Sequence, residues 1–266
     1  MPLLTIVLAA LVQGVTEFLP VSSSGHLILL PVITGMEDQG QAIDVAVHVG
    51  TLGAVVLYFR EDSSRLWRGA LDLARMRSTP GAHFAYLMAI ATIPVLVFGL
   101  VLKLTGLDEA MRSAALIGWT MIIFGIALWW ADRTGGTARA ASDWRRRDAL
   151  VMGLWQAVAL IPGTSRSGDT ITAARHLGFE RQDGARLAML MSIPTILAAG
   201  GLTALDVVGD LNGRLALDMA LAAALAFGAA LAALGLMMRL LRTVSFTPYV
   251  IYRIVLGTVI LVWAYS

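Results

Sequence analysis

Gln13-Gly14-Val15-Thr16-Glu17-Phe18-Leu19-Pro20-Val21-Ser22-Ser23-Ser24-Gly25-His26 is the stretch on which the reading of this chain turns. It lies between two apolar runs, Leu3 to Val12 and Leu27 to Ile33. Neither run spans a bilayer alone, because a spanning helix needs about 20 apolar residues. Pro20, the Ser triplet and Gly25 interrupt the helical pattern between them. A carboxylate, an imidazole and three hydroxyls are thus gathered at a break in apolar surroundings. On insertion scales a carboxylate at hydrocarbon depth costs about 2.5–3.5 kcal/mol, so one kept there marks a functional site by default. A cleaved signal peptide would begin with a basic segment, yet no Lys or Arg precedes Arg60.

The rest of the chain sets the solvent for that stretch. Hydrophobic residues make up 58% of the 266 positions and charged residues 14%, far from the balance of a soluble domain. Six runs are long enough to span: 42–59, 84–103, 113–131, 185–205, 215–241 and 248–265. Regions 1–34 and 148–178 are each a pair of short apolar pieces around a polar break, the pattern of re-entrant hairpins that build a site at mid-membrane. The expected fold is an all-α polytopic membrane protein of one domain, 1–266. Its first repeat, 1–131, is a hairpin and three spans, and its second, 148–266, is the same. Three spans are an odd number, so the second repeat is inverted relative to the first.

Loop charge orients this arrangement. Segments 60–83 and 132–148 carry five Arg each, whereas 35–41 and 206–218 hold only Arg214. The positive-inside rule places the Arg-rich loops in the cytoplasm, so hairpin 1 enters from outside and hairpin 2 from inside. With a net charge of only +2 and its Arg in short loops, the basic pattern is topological and points away from nucleic acid. The absence of Cys excludes disulfides and thiolate metal sites.

The second break reads Ile161-Pro162-Gly163-Thr164-Ser165-Arg166-Ser167-Gly168-Asp169-Thr170. A shift of 143 positions lays Gln13 on Gln156, Ser22 on Ser165, Ser24 on Ser167 and Gly25 on Gly168. Small residues admit a ligand close to the backbone, hydroxyls donate to it, and a half-helix starting near Ser167 presents free N–H groups and a positive dipole end. Arg166 adds a planar fork suited to phosphate oxygens. Together these describe a phosphate site. The alternative is an Arg paired with Asp169 or Glu17 only to join the hairpins. Asp44 and His48, four apart on one face of the first span, fit a helix contact, a proton relay or a cation site. Gly99, Gly106, Gly200, Gly201, Gly228 and Gly235 read as close-packing positions in spans.

These two stretches resemble the undecaprenyl-diphosphate phosphatases of the bacitracin-resistance family. One family motif has Glu or Gln, three residues, Glu, a Phe-Leu-Pro-Val-Ser-Ser stretch, then Gly and His, and it stands here as Gln13 to His26. The other, Pro-Gly-any-Ser-Arg-Ser-any-any-Thr, stands as Pro162 to Thr170. The resemblance covers nearly the whole chain. It implies hydrolysis of undecaprenyl diphosphate to the monophosphate carrier of cell-wall synthesis, in the bacterial inner membrane, at a site reached from the periplasmic face. The chain departs from the pattern at Gln13, where some members have Glu, and at Asp169, where a small apolar residue is expected.

Roles follow from what phosphoryl transfer requires: charge neutralisation, an in-line nucleophile and proton transfer. Arg166 and the hydroxyls of Ser165, Ser167 and Thr170 are expected to bind phosphate, with Gln13, Ser22 and Ser24 as further donors. Ser23, centred in the triplet and singled out by the resemblance, is the expected nucleophile. Glu17 and His26 are the acid and base candidates. Glu17, and more weakly Asp169, are candidates for holding a divalent cation, Mg2+ or Ca2+. The partners expected are a polyprenyl diphosphate lipid and the bilayer. The sequence is silent on oligomeric state and compatible with a homodimer. A transporter or flippase of an anionic lipid is the competing class, because inverted repeats with broken helices are a transporter device. A carrier needs only the anion site, and an enzyme also needs the nucleophile and proton groups.

Overall fold

The computed structural model describes residues 2–111, 113–208 and 212–266. Positions 209–211 of the Arg-poor segment 206–218 therefore lie outside the described residues. The helices, in chain order, are α1 (Leu3–Thr16), α2 (Ser23–Thr34), α3 (Gly40–Tyr58), α4 (Arg60–Ala74), α5 (Pro80–Thr105), α6 (Leu107–Ala110), α7 (Ala114–Thr134), α8 (Arg146–Val158), α9 (Arg166–His176), α10 (Arg181–Val208), α11 (Gly213–Leu240) and α12 (Thr247–Tyr265). Six of them, α3, α5, α7, α10, α11 and α12, are long and apolar enough to cross a membrane. Their bounds lie within about four residues of the sequence expectation, the usual error at helix ends. Their outer faces carry exposed Ile93, Val97, Phe98, Ile123, Val255 and Val259, surface that suits lipid rather than water.

Contacts at the helix ends fix the direction of each short pair. At the start of α1 the Thr5 hydroxyl lies 3.6 Å from Met36 Sδ, just beyond α2, so both ends of this pair lie where α3 begins. The second pair is closed by Arg139, which precedes α8 and donates through Nη1 to Leu177 O beyond α9 at 2.9 Å. Arg139 also pairs with Asp148 of α8 at 2.5 Å. Its ends lie where α10 begins. The tips meet between the two ends of the bundle, where Ser167 Oγ donates to Leu19 O at 2.9 Å. The two pairs thus touch at their breaks.

The Arg-rich segments gather at one end. There Asp132 of α7 accepts from Arg175 and Arg181, and Arg186 of α10 grips Asp62 with two bonds of 2.8 and 2.6 Å. The Arg-rich stretch after α3, read from sequence as a loop, is largely helical. Glu61 and Asp62 in its first turn suit the positive end of the α4 dipole, and Gly69 lets α4 approach the backbone of Gly81.

The α9 helix is enclosed, with Ser167 through Arg175 all buried. Ile171, Ala173 and Ala174 join α8 and α10 residues in the main apolar core. The close-packing glycines differ from those expected. Gly200, Gly201 and Gly228 face open space, whereas a Cβ on Gly50 would lie 2.2 Å from Ala223 O of α11. Periodicity in a membrane span marks the lipid face and the protein face equally with apolar residues, so sequence does not tell them apart.

Candidate active site

Both tips are built by the same local device. Ser22 caps α2 at φ 72° and Ser165 caps α9 at φ 78°, each in a conformation uncommon for a residue with a Cβ. Each hydroxyl accepts from the amide three residues on, Gly25 N at 3.4 Å and Gly168 N at 3.1 Å. Each also lies near the hydroxyl two residues on, Ser24 at 3.4 Å and Ser167 at 3.2 Å. The 143-residue shift pairs these same positions. Gly163 completes the second tip at φ +90°, where a Cβ would fall 2.1 Å from the Thr120 hydroxyl. The N-termini of α2 and α9 therefore end at the same place, and each directs a positive dipole end to it.

Glu17 ties the two tips together. Its carboxylate accepts from Ser23 Oγ at 2.7 Å and from Gln13 Nε2 at 2.8 Å, and it pairs with Arg166 Nη2 across the interface. The other terminal nitrogen of Arg166, Nη1, is buried with no hydrogen-bond partner among the described residues. An unmet guanidinium donor beside two helix N-termini is a place prepared for an anion. Glu17, Ser23 and Arg166 line a cavity of about 400 Å³, which also takes in Ser22, Ser24 and Ser165. It extends along α3 and α10 to Gln41 and Thr203, at the end of the bundle away from the Arg-rich loops.

Several sequence-predicted residues are placed behind this cavity, not on its wall. The Gln13 amide is fully buried and reaches the cavity only through Glu17. The hydroxyls of Ser167 and Thr170 are spent on backbone carbonyls, of Leu19 and of Arg166. His26 stands apart from the lining: Nδ1 is 2.7 Å from Ser22 O, Nε2 is 2.6 Å from the Tyr252 hydroxyl, and its ring stacks on Tyr252. Asp169 is fully buried, and neither carboxyl oxygen has a hydrogen-bond partner among the described residues. His48 and Asp44, by contrast, line the cavity.

Arg253 of α12 was not singled out from sequence. It is completely buried, and its guanidinium reaches five backbone carbonyls: Met121 and Thr120 of α7, Gly163 and Thr164 of the second tip, and Pro20 of the first, at 2.7–3.5 Å. It lies against Gly168, next to Asp169. The available signal was an Arg in the middle of an apolar run, which is rare enough to demand a partner.

The chain matches the family described as Bacitracin resistance protein BacA over residues 6–259. It is 62% identical to the undecaprenyl-diphosphatase of Jannaschia sp. (strain CCS1) and 64% identical to that of Dinoroseobacter shibae, with all of both chains covered in each case. It is 45% identical to undecaprenyl-diphosphatase 2 of Stutzerimonas stutzeri over 98% of each chain. With a match that includes both tips, the Glu17–Arg166 pair and Arg253, the chain belongs to the bacitracin resistance protein BacA family.

Proposed function

We infer that this protein hydrolyses undecaprenyl diphosphate to undecaprenyl phosphate and phosphate. That reaction returns the lipid carrier to cell-wall synthesis and underlies bacitracin resistance. The observation that carries the reading is the bond from Ser23 Oγ to Glu17 beside the unmet donor of Arg166. An anion carrier needs the second of these and has no use for the first.

Arg166 Nη1, the α2 and α9 amides and the hydroxyls of Ser22, Ser24 and Ser165 hold the terminal phosphate. Ser23 Oγ attacks its phosphorus as Glu17 takes the hydroxyl proton. The bond to the bridging oxygen breaks and the lipid monophosphate departs. Water then displaces phosphate from Ser23, which recovers its proton from Glu17. Gln13 keeps Glu17 oriented, and His26 fixes the first tip against Tyr252. Glu17 already serves three donors, and Asp169 stands outside the cavity. A divalent cation, Mg2+ or Ca2+, would find Glu17 and Asp44 as the carboxylates on the described cavity wall and would take its remaining ligands from the phosphates.

We read the two tips as equivalent parts of an inverted repeat with re-entrant hairpins, which the paired Ser22 and Ser165 caps support. The positive-inside rule supports the Arg-rich end in the cytoplasm and the cavity mouth in the periplasm, and membership of the family supports the bacterial inner membrane. Because the chain has no Cys, Glu37→Cys is expected to react with an impermeant maleimide in intact cells and Thr137→Cys only after permeabilisation. Labelling of both from one side overturns the orientation.

The functional test is phosphate release by purified protein given a polyprenyl diphosphate in detergent. Arg166→Lys keeps the charge and loses the fork, so its turnover is expected to fall by roughly 10²–10³-fold, the usual loss of one oriented donor. Binding of the diphosphate by wild type without any phosphate release would favour lipid transport instead.

A further inference from the structure

The cavity contains a titratable group that the proposed chemistry leaves idle. His48 Nδ1 is 2.7 Å from Asp44 O. A carbonyl only accepts, so Nδ1 carries the hydrogen. Nε2 has no hydrogen-bond partner among the described residues, and His48 lines the cavity with Glu17, close enough to interact with it electrostatically. His26, whose two nitrogens are both engaged, is no substitute for it.

The charges in this cavity do not match its occupant. Glu17 brings a carboxylate, and Asp44, on the same wall, accepts from Gln39 at 2.9 Å. Arg166 is the one permanent cation among the described lining residues. From α5, α8 and α10 the lining side chains are Val95, Gln156, Thr195 and other uncharged groups. The α11 helix, packed along α3, carries Arg214 and Asp218 near its start but supplies no lining side chain. Two helix N-termini add about half a positive charge each, so Glu17, Arg166 and the tips together leave about one positive charge. A terminal phosphate group alone carries about −1.5 to −2 near pH 7.

We propose that His48 is a proton-linked phosphate subsite: its imidazole takes a proton from solvent as the diphosphate binds, and Nε2–H then donates to a phosphate oxygen. Imidazole is the side chain suited to this exchange near neutral pH. The inference rests on the reading of the cavity as a diphosphate site. It adds that substrate capture and proton uptake are one event.

The test is calorimetric and independent of turnover. Full-length Ser23→Ala protein in detergent is titrated with a short-chain polyprenyl diphosphate, in buffers of different ionisation enthalpy, with EDTA and then with Mg2+. Proton uptake of up to one per ligand is expected. In the Ser23→Ala/His48→Gln protein that uptake is lost and affinity falls about 10- to 100-fold, the worth of one charge-assisted hydrogen bond. Proton changes on the ligand itself are common to both proteins and cancel in the difference. Thermal melting establishes that the double variant is folded. Equal uptake in the two proteins overturns the proposal, as does binding that requires Mg2+ and takes up no proton. No binding to either protein overturns it together with the diphosphate reading.

Discussion

Ser23→Ala is expected to release no phosphate while binding polyprenyl diphosphate about as well as wild type. The substitution deletes one hydroxyl and leaves Arg166 Nη1, the Ser22 and Ser165 caps and both helix N-termini in place. Turnover should fall by roughly 10⁴-fold or more, since a lost nucleophile has no stand-in. Glu17→Gln is the informative companion. The amide cannot take a proton, and it also removes the counter-charge of Arg166. Its turnover should fall by about 10²–10⁴-fold, the range of a general base, while the freed guanidinium holds the anionic substrate more tightly. Phosphate release and filter binding on the same preparations measure both quantities. If Ser23→Ala keeps more than a small fraction of wild-type turnover, water attacks directly. Glu17 is then its base, and Ser23 becomes a phosphate donor.

Much of this site was legible because the membrane makes polar residues conspicuous. Glu17, the Ser triplet and Arg166 stand out in apolar runs, and their spacing around two breaks implied tips that meet. Helix length then gave the six spans. What stayed hidden was the use of each polar atom. Ser167 and Thr170 belong to the same motif as Ser165, yet their hydroxyls satisfy backbone carbonyls within a buried tip. Motif membership does not separate a hydroxyl that faces the ligand from one that holds the turn. His26 belongs to the motif and His48 does not, whereas cavity access depends on where α3 and α12 pack. The close approach of α3 to α11 at Gly50 is likewise a property of packing and not of any one helix.

The same distinction sets the second large effect, at Arg253, a residue that does not line the cavity. Replacing it with Met removes donors from five carbonyls at the junction of α7 and the two tips. Each buried carbonyl left unpaired costs about 1–3 kcal/mol, so a marked drop in melting temperature is expected. The tips also lose their common anchor, and displacement of reacting groups by about 1 Å costs roughly 10²-fold in rate. Arg253→Met should therefore be nearly inactive even at temperatures where it remains folded. Part of the stability loss has a separate origin. Asp169 is fully buried beside Arg253 with neither carboxyl oxygen hydrogen-bonded among the described residues, and losing the neighbouring guanidinium leaves that carboxyl in wholly apolar surroundings. Adding Asp169→Ala to Arg253→Met should then recover some of the lost melting temperature and none of the lost activity. A double-mutant cycle on melting temperature and phosphate release separates the two effects. Recovery of activity in the double variant would mean that Arg253 serves only to neutralise Asp169. Wild-type turnover in Arg253→Met would mean that the tips hold their geometry without it.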